Sequence, residues 1–260
     1  MRRTLNFFHR NLKEIFLDPI IYVFCLGFPL IMLILFQVIN NYTYGNTPMF
    51  ELGSLLPAII MFSFTFVMLI MALLVSKDKS TFFLKRLYSS PMKSYQFVLG
   101  YASVGLFIGI LQIVICIVSA LIISLITKVS FPNFGQIILL SLSQLPMLIT
   151  FTFLGILFGV AFSDKSAPGL CSVVVSLAGV LGGCWMPIES MGEFAIFCRC
   201  LPFYPSVILG RITTGASNAF GVVYQFDYVA RLGLIPLLLF AFAGVIASFV
   251  VFKKNMTSDN

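Results

Sequence analysis

The sequence predicts an all-α membrane protein. Six transmembrane helices are expected, with an N-terminal amphipathic interfacial helix ahead of them, a short cytoplasmic helix after span two, and re-entrant or interfacial helices between spans five and six. Three observations carry that reading. Of 260 residues, 60% are hydrophobic and 10% charged, with a mean hydropathy of +1.05; a soluble domain carries about 25% charged residues, because a water-facing surface needs them. Six stretches, 20–39, 52–75, 97–126, 136–162, 168–187 and 232–252, hold no Asp, Glu, Lys, Arg or His, and each reaches the ~20 apolar residues that cross a bilayer. The third observation is where the basic residues fall.

Twelve of them share one side: Arg2, Arg3, Arg10, Lys13, Lys77, Lys79, Lys85, Arg86, Lys93, Lys165, Lys253 and Lys254. Only Lys128, Arg199, Arg211 and Arg231 fall on the other. The positive-inside tendency then sets both termini in the cytoplasm, and accounts for the net charge of +7 without nucleic acid. A β-barrel is excluded because the apolar runs are continuous rather than alternating.

Residues 1–19 come first. Leu5, Phe8, Leu12, Ile15 and Phe16 recur at helical spacing opposite Arg3, Arg10, Lys13 and Glu14, which predicts a helix in the interface with its bases on lipid headgroups. Asp18-Pro19 turns the chain into span one. The lone His9 reads as a headgroup contact. Spans three and four are overlong, since thirty residues make ~45 Å against a ~30 Å hydrocarbon core. Pro29, Pro57 and Pro146 fall inside spans one, two and four, so neighbouring helices must satisfy the freed carbonyls. The connection 188–231 holds Glu189, Glu193, Arg199, Arg211, Asp227 and Arg231, with apolar pieces too short to cross; re-entrant or interfacial helices fit it, and an ordinary loop is the alternative. Six Cys without a Cys-x-x-Cys spacing give no metal or redox framework, though a disulfide among Cys184, Cys198 and Cys200 stays open.

The stretch 76–95 carries the densest signal. Ser80 or Thr81 can cap a helix, Phe83, Leu84, Leu87 and Tyr88 form a stripe, and Pro91 stops it. So short a helix is marginal alone in water and must lie against something. Either it rests on headgroups, or it docks into a cytosolic subunit.

Leu84-Lys85-Arg86-Leu87, then Ser89-Ser90-Pro91, then Tyr95 through Leu99-Gly100, resembles the signature after span two in ABC-2-type transporter permeases. Asp78 stands at that family's acidic position, and Ser80-Thr81 stands where Gly-Thr is usual. A second resemblance lies in Gly183, Pro187 and Glu189, then Leu201-Pro202-Phe203, Pro205 and Arg211, with Met191-Gly192 where the family usually has Pro. The whole chain then reads as one ABC-2-type transmembrane domain, 1–260. The resemblance implies an ATPase-coupling helix at 77–91, with Asp78, Thr81, Phe83, Leu84, Lys85, Arg86, Leu87 and Pro91 as its residues. It also implies an outer gate at Pro187, Glu189, Pro202 and Arg211, a pair of permease copies (identical or different), and a bacterial cytoplasmic membrane.

Residue chemistry favours the same class. An ion-coupled carrier keeps ionisable groups at membrane depth, and the six stretches have none. An enzyme needs convergent catalytic groups, and one His with acids confined to connections supplies none. No G-x-x-x-x-G-K-[ST] occurs, so no cofactor belongs to this chain; ATP and Mg would sit in a partner cytosolic ABC ATPase. A conduit lined by Phe62, Ser63, Phe64, Thr65 and Phe66 on span two, with Cys171, Ser172 and Ser176 on span five, would suit a small amphiphile, drug, antibiotic or peptide. The plainer reading is that these hydroxyls bond their own helices and the rings face lipid. Export of a lipid-linked glycan is the alternative cargo, and an ion-coupled carrier or a structural membrane protein the alternative class.

Overall fold

A computed structural model describes residues 2–19, 23, 27–42, 48–81, 94–218 and 220–258. Nine α-helices are described: α1 (Arg2–Phe16), α2 (Phe28–Tyr42), α3 (Leu52–Ser80), α4 (Ser94–Thr127), α5 (Phe134–Ala161), α6 (Ala167–Leu181), α7 (Glu193–Arg199), α8 (Phe203–Thr214) and α9 (Tyr228–Ser258). No strand occurs among the described residues; a lone bridge joins Ser217 to Val223.

Among the described residues four helices, α3, α4, α5 and α9, are long and apolar enough to cross a membrane, or five if the bent α7–α8 pair counts as one span. Spans one and five of the expected six are represented by shorter helices. The described part of span one is α2, of 15 residues, with 20–22 and 24–26 outside the described residues. Span five is α6, also 15 residues, or ~22 Å of helix against a ~30 Å hydrocarbon core. It stops before the expected residue 187 because Gly182 caps it and Gly183 then takes a left-handed φ of +65°, which only glycine adopts without strain. The long helices overrun their expected bounds. In particular, α3 continues through Lys77, Asp78 and Lys79 to Ser80, with Thr81 at its C-cap, so these residues extend span two instead of opening a separate short helix.

The centre of the bundle is α3: 89% of its most apolar stretch is buried, against 22% for α9. Packing around it depends on small residues. A Cβ added to Gly155 or Gly159 of α5 would sit 2.5 Å from the Met68 carbonyl oxygen or 2.7 Å from that of Ala72, both backbone atoms that cannot move aside. Lipid supplies no hydrophobic drive between helices, so such close backbone approach is what holds them. Gly105 and Gly109 of α4 are similarly covered by Met71 of α3 and by Thr152 and Leu148 of α5. Both pairs are Gly-x-x-x-Gly spacings legible in the sequence and absent from the expectations above. Pro57 and Pro146 lie inside α3 and α5, Pro236 lies inside α9, and Pro29 is the second residue of α2.

The segment after α6 is the 3-10 turn Ile188–Ser190, followed by α7 and α8, which meet at 88°. The second of these, α8, is wedged between α3 and α5. Gly210 abuts Pro57 and Gln144, and Gln144 exchanges two hydrogen bonds with Ser206, Nε2 to the backbone oxygen and Oγ to Oε1, both 2.9 Å. Thr214 Oγ1 donates to the Gly53 carbonyl at 2.7 Å.

Candidate functional site: a charged anchor and an outer network

One end of the bundle collects α1, the C-terminal turns of α3, α5 and α9, and the first turns of α4. Phe7, Asn11 and Ile15 form the buried face of α1. The Phe7 ring meets Phe97 and Tyr101 edge-on at 5.8 and 4.9 Å and lies over Gly100, where a Cβ would collide with it. The amphipathic helix is therefore seated on α4, an expectation that headgroup binding alone did not contain.

Arg10 explains the seating. Its guanidinium donates to both oxygens of Asp78, Nη2 to Oδ1 at 2.7 Å and Nη1 to Oδ2 at 2.9 Å, a fork-on-fork pairing. Tyr101 donates its hydroxyl to Asp78 Oδ2 at 2.6 Å. Asp78 is 2% exposed. Arg10 also pairs with Glu14 at 2.8 Å, and Lys77 Nζ reaches Glu14 at 3.1 Å. Burial opposes the Arg10 charge, but the Asp78 carboxylate outweighs it and the guanidinium pKa is raised. So Arg10, expected on headgroups, is half-buried and paired with carboxylates of the protein itself. Beside it, Lys79 Nζ and Asn255 Nδ2 both donate to the Val160 carbonyl, at 2.7 and 3.2 Å, closing the C-terminal turn of α5.

Thr81 donates back to Lys77 and Asp78 carbonyls. Phe83, Leu84, Lys85, Arg86, Leu87 and Pro91 lie outside the described residues.

The opposite end holds a second network. Arg211, on α8, is 1% exposed. Its Nη2 donates to the Gly183 carbonyl at 3.0 Å, its Nε to that of Ser54 at 3.3 Å, and its Nη1 to the Tyr224 hydroxyl at 3.4 Å. Tyr224 in turn donates to Glu189 Oε1, which also accepts from Tyr204 at 3.0 Å. Charge balance for the buried guanidinium is thus relayed through one phenol. Burial, together with the Glu189 carboxylate, raises the Tyr224 pKa, and Arg211 opposes the shift without cancelling it. Glu189 and Arg211, expected together, do meet through Tyr224. Pro187 sits at the head of the 3-10 turn and Pro202 at the head of α8, so the two prolines set the positions of Glu189 and Tyr204. The tyrosines were missed; a buried Arg demanding acceptors was the signal that pointed to them.

The span-two residues fall elsewhere. Ser63, Phe64 and Thr65 are fully buried, and Phe62 and Phe66 nearly so. Phe62 and Phe66 join Phe28 at 5.4 and 4.7 Å, and Trp185 stacks on Phe36 at 4.8 Å and meets Phe62 at 5.2 Å. The Ser63 and Thr65 hydroxyls donate to the Ile60 and Phe62 carbonyls, and Ser172 and Ser176 to those of Gly169 and Ser172. Cys171 is buried, while Ser172 and Ser176 stand on the exposed face of α6 with Val173, Leu177 and Val180. Cys184, Cys198 and Cys200 are free thiols.

The family model for ABC-2 family transporter proteins matches residues 26–252, nearly the whole helical bundle. The chain belongs to the ABC-2 transporter family. No curated protein sequence matches it. As an ABC-2 permease it is an integral membrane protein and a membrane transport component, and the two networks described above bracket its most buried helix, α3.

Proposed function

We propose that this permease works as a dimer in an ATP-driven exporter, with phosphate chemistry on a separate cytosolic ATPase that holds ATP and Mg. In this reading both termini lie in the cytoplasm of a bacterial cell and residues 77–91 engage the ATPase. The observation that supports it is the anchoring of α3 where it enters that segment. Asp78 is held by Arg10 and Tyr101 and Lys79 by the end of α5, so the last turn of the 29-residue α3 is tied to three neighbouring helices where a partner's push would reach it. An ion-coupled role for Asp78 is disfavoured, because its two oxygens already accept three hydrogen bonds.

The cargo is a small amphiphile, drug, antibiotic or peptide. It passes between two copies along the exposed face of α6, where Ser172 and Ser176 interrupt an apolar stripe, with Phe62 and Phe66 behind. The test is gentle detergent extraction of tagged protein from its own cells, with identification of what elutes. A stoichiometric protein carrying Walker motifs is expected, and Arg86→Asp or Leu87→Asp should abolish substrate-stimulated ATP hydrolysis while membrane insertion is retained. Elution without such a partner, or full coupling in both variants, would refute the reading.

A further inference from the structure

Against the Glu189 side of the Arg211 network lies a cavity of about 390 Å³ bounded by the 3-10 turn, α7, the N-terminal turns of α8, Asn218, residues 222–227 and the start of α9. Three charged residues line it: Glu189, Arg199 and Asp227. None of them makes an ion pair with another described residue. Glu189 has only its Oε1 engaged, by the two tyrosines, and Asp227 Oδ1 caps the first turn of α9 through the Ala230 amide at 2.9 Å. Opposite charges that share a concavity would ordinarily close on one another. Here Arg199 has no carboxylate within ion-pair distance among the described residues.

A second cavity, of about 550 Å³, runs along the flank of α9 and shares Arg199, Val229 and Gly233 with the first. Its walls are apolar, among them Leu232, Leu239 and Phe240. Arg199 therefore stands at the junction of a hydrocarbon-lined groove and a polar chamber that presents carboxylates.

We propose that the two cavities form one binding site for a zwitterionic amphiphile: its anionic group on Arg199, its ammonium group between Glu189 and Asp227, and its apolar tail along α9. A ligand with both charges meets Arg199 with its anion, and the free oxygens of Glu189 and Asp227 with its ammonium, at once. A purely anionic amphiphile would face the two carboxylates, and a purely cationic one would face the guanidinium. A resident phospholipid and an exported cargo molecule share this chemistry. The site makes no demand on ATP coupling, so it stands or falls separately from the exporter reading.

The experiment places the full chain in nanodiscs of equal parts phosphatidylethanolamine and phosphatidylglycerol, with no other zwitterionic lipid present, then counts retained lipids by native mass spectrometry. Selective retention of phosphatidylethanolamine over phosphatidylglycerol is expected. Arg199→Gln and Asp227→Asn should each reduce it about fivefold, the loss of one charge-assisted contact at a partly hydrated site; asparagine keeps the cap on Ala230. Arg231→Gln, whose side chain lies over Phe226 and outside both cavities, should leave retention unchanged. Displacement of the retained lipid by added lysophosphatidylethanolamine identifies an exchanging, cargo-like occupant; resistance to it identifies a resident lipid, and both support the site. Equal retention of the two lipids, or an Arg231→Gln effect as large as that of Arg199→Gln, overturns it.

Discussion

Asp78 and Arg211 are the two residues whose burial demands an explanation, and the two are stabilised differently. Asp78 has a direct ionic partner. Truncating one side of a fully buried ion pair costs about 3–5 kcal/mol, but Arg10 is 35% exposed, so water moderates the loss and Arg10→Ala should destabilise by about 2 kcal/mol. Arg10→Lys should recover only part of that, because a point ammonium cannot fork across both carboxylate oxygens. Thermal unfolding in detergent, followed on both variants, checks the order. Arg211 instead depends on the Tyr224 hydroxyl. Tyr224→Phe leaves a buried charge short of an acceptor and should cost about 1–3 kcal/mol. With its pKa raised above the ordinary value of about 10, the phenol's contribution is complete below that pH and declines as pH rises beyond it. The alkaline limb of a stability profile should therefore be shallower in Tyr224→Phe than in the parent, and identical limbs would contradict the relay.

Among the elements, the α3–α5 contact is the most exacting. Gly155→Ala and Gly159→Ala each push a methyl into a carbonyl of α3 and should cost about 1–3 kcal/mol from overpacking. Gly135→Ala, at a position with nothing within 4 Å, should cost nothing. Comparing the midpoints of these three variants decides whether close backbone approach holds the bundle. The long helices were legible because uninterrupted apolar runs leave a chain in lipid no other way to satisfy its backbone. The end of α6 was not legible for a physical reason: hydropathy counts residues, while that end is set by the backbone angle at Gly183. Residues 77–80 misled in the opposite sense. Lys77, Asp78 and Lys79 looked like the start of an aqueous connection, yet each finds its partner on another helix, so the helix carries on.

For the whole molecule, composition was enough to place the chain in a membrane, and the order of its motifs was enough to suggest the family. Neither could reveal the anchor, because Arg10 and Asp78 lie 68 positions apart and nothing in either segment names the other. The Arg211 network was half legible: Glu189 and Arg211 stood in recognisable motifs, but Tyr224 sits in an unremarkable loop. A prediction at this scale concerns the anchor's place in coupling. On the exporter reading proposed above, Arg10→Ala should retain the complex with the proposed ATPase yet lower substrate-stimulated ATP hydrolysis severalfold, and an Arg10→Asp, Asp78→Arg double exchange should restore part of it. Loss of the complex itself in Arg10→Ala would assign the anchor to assembly instead of transmission.

The sequence contains a single tryptophan, and the fold lodges it between Phe36 of α2 and Phe62 of α3, just beyond the end of α6. The indole is thus a built-in optical probe where α2, α3 and the segment after α6 meet. Any sliding of α2 or α6 against α3 must change the ring's neighbours, and with them its emission wavelength and its access to quenchers. Movement of these helices can be watched by ultraviolet light, without a label and without altering a single residue.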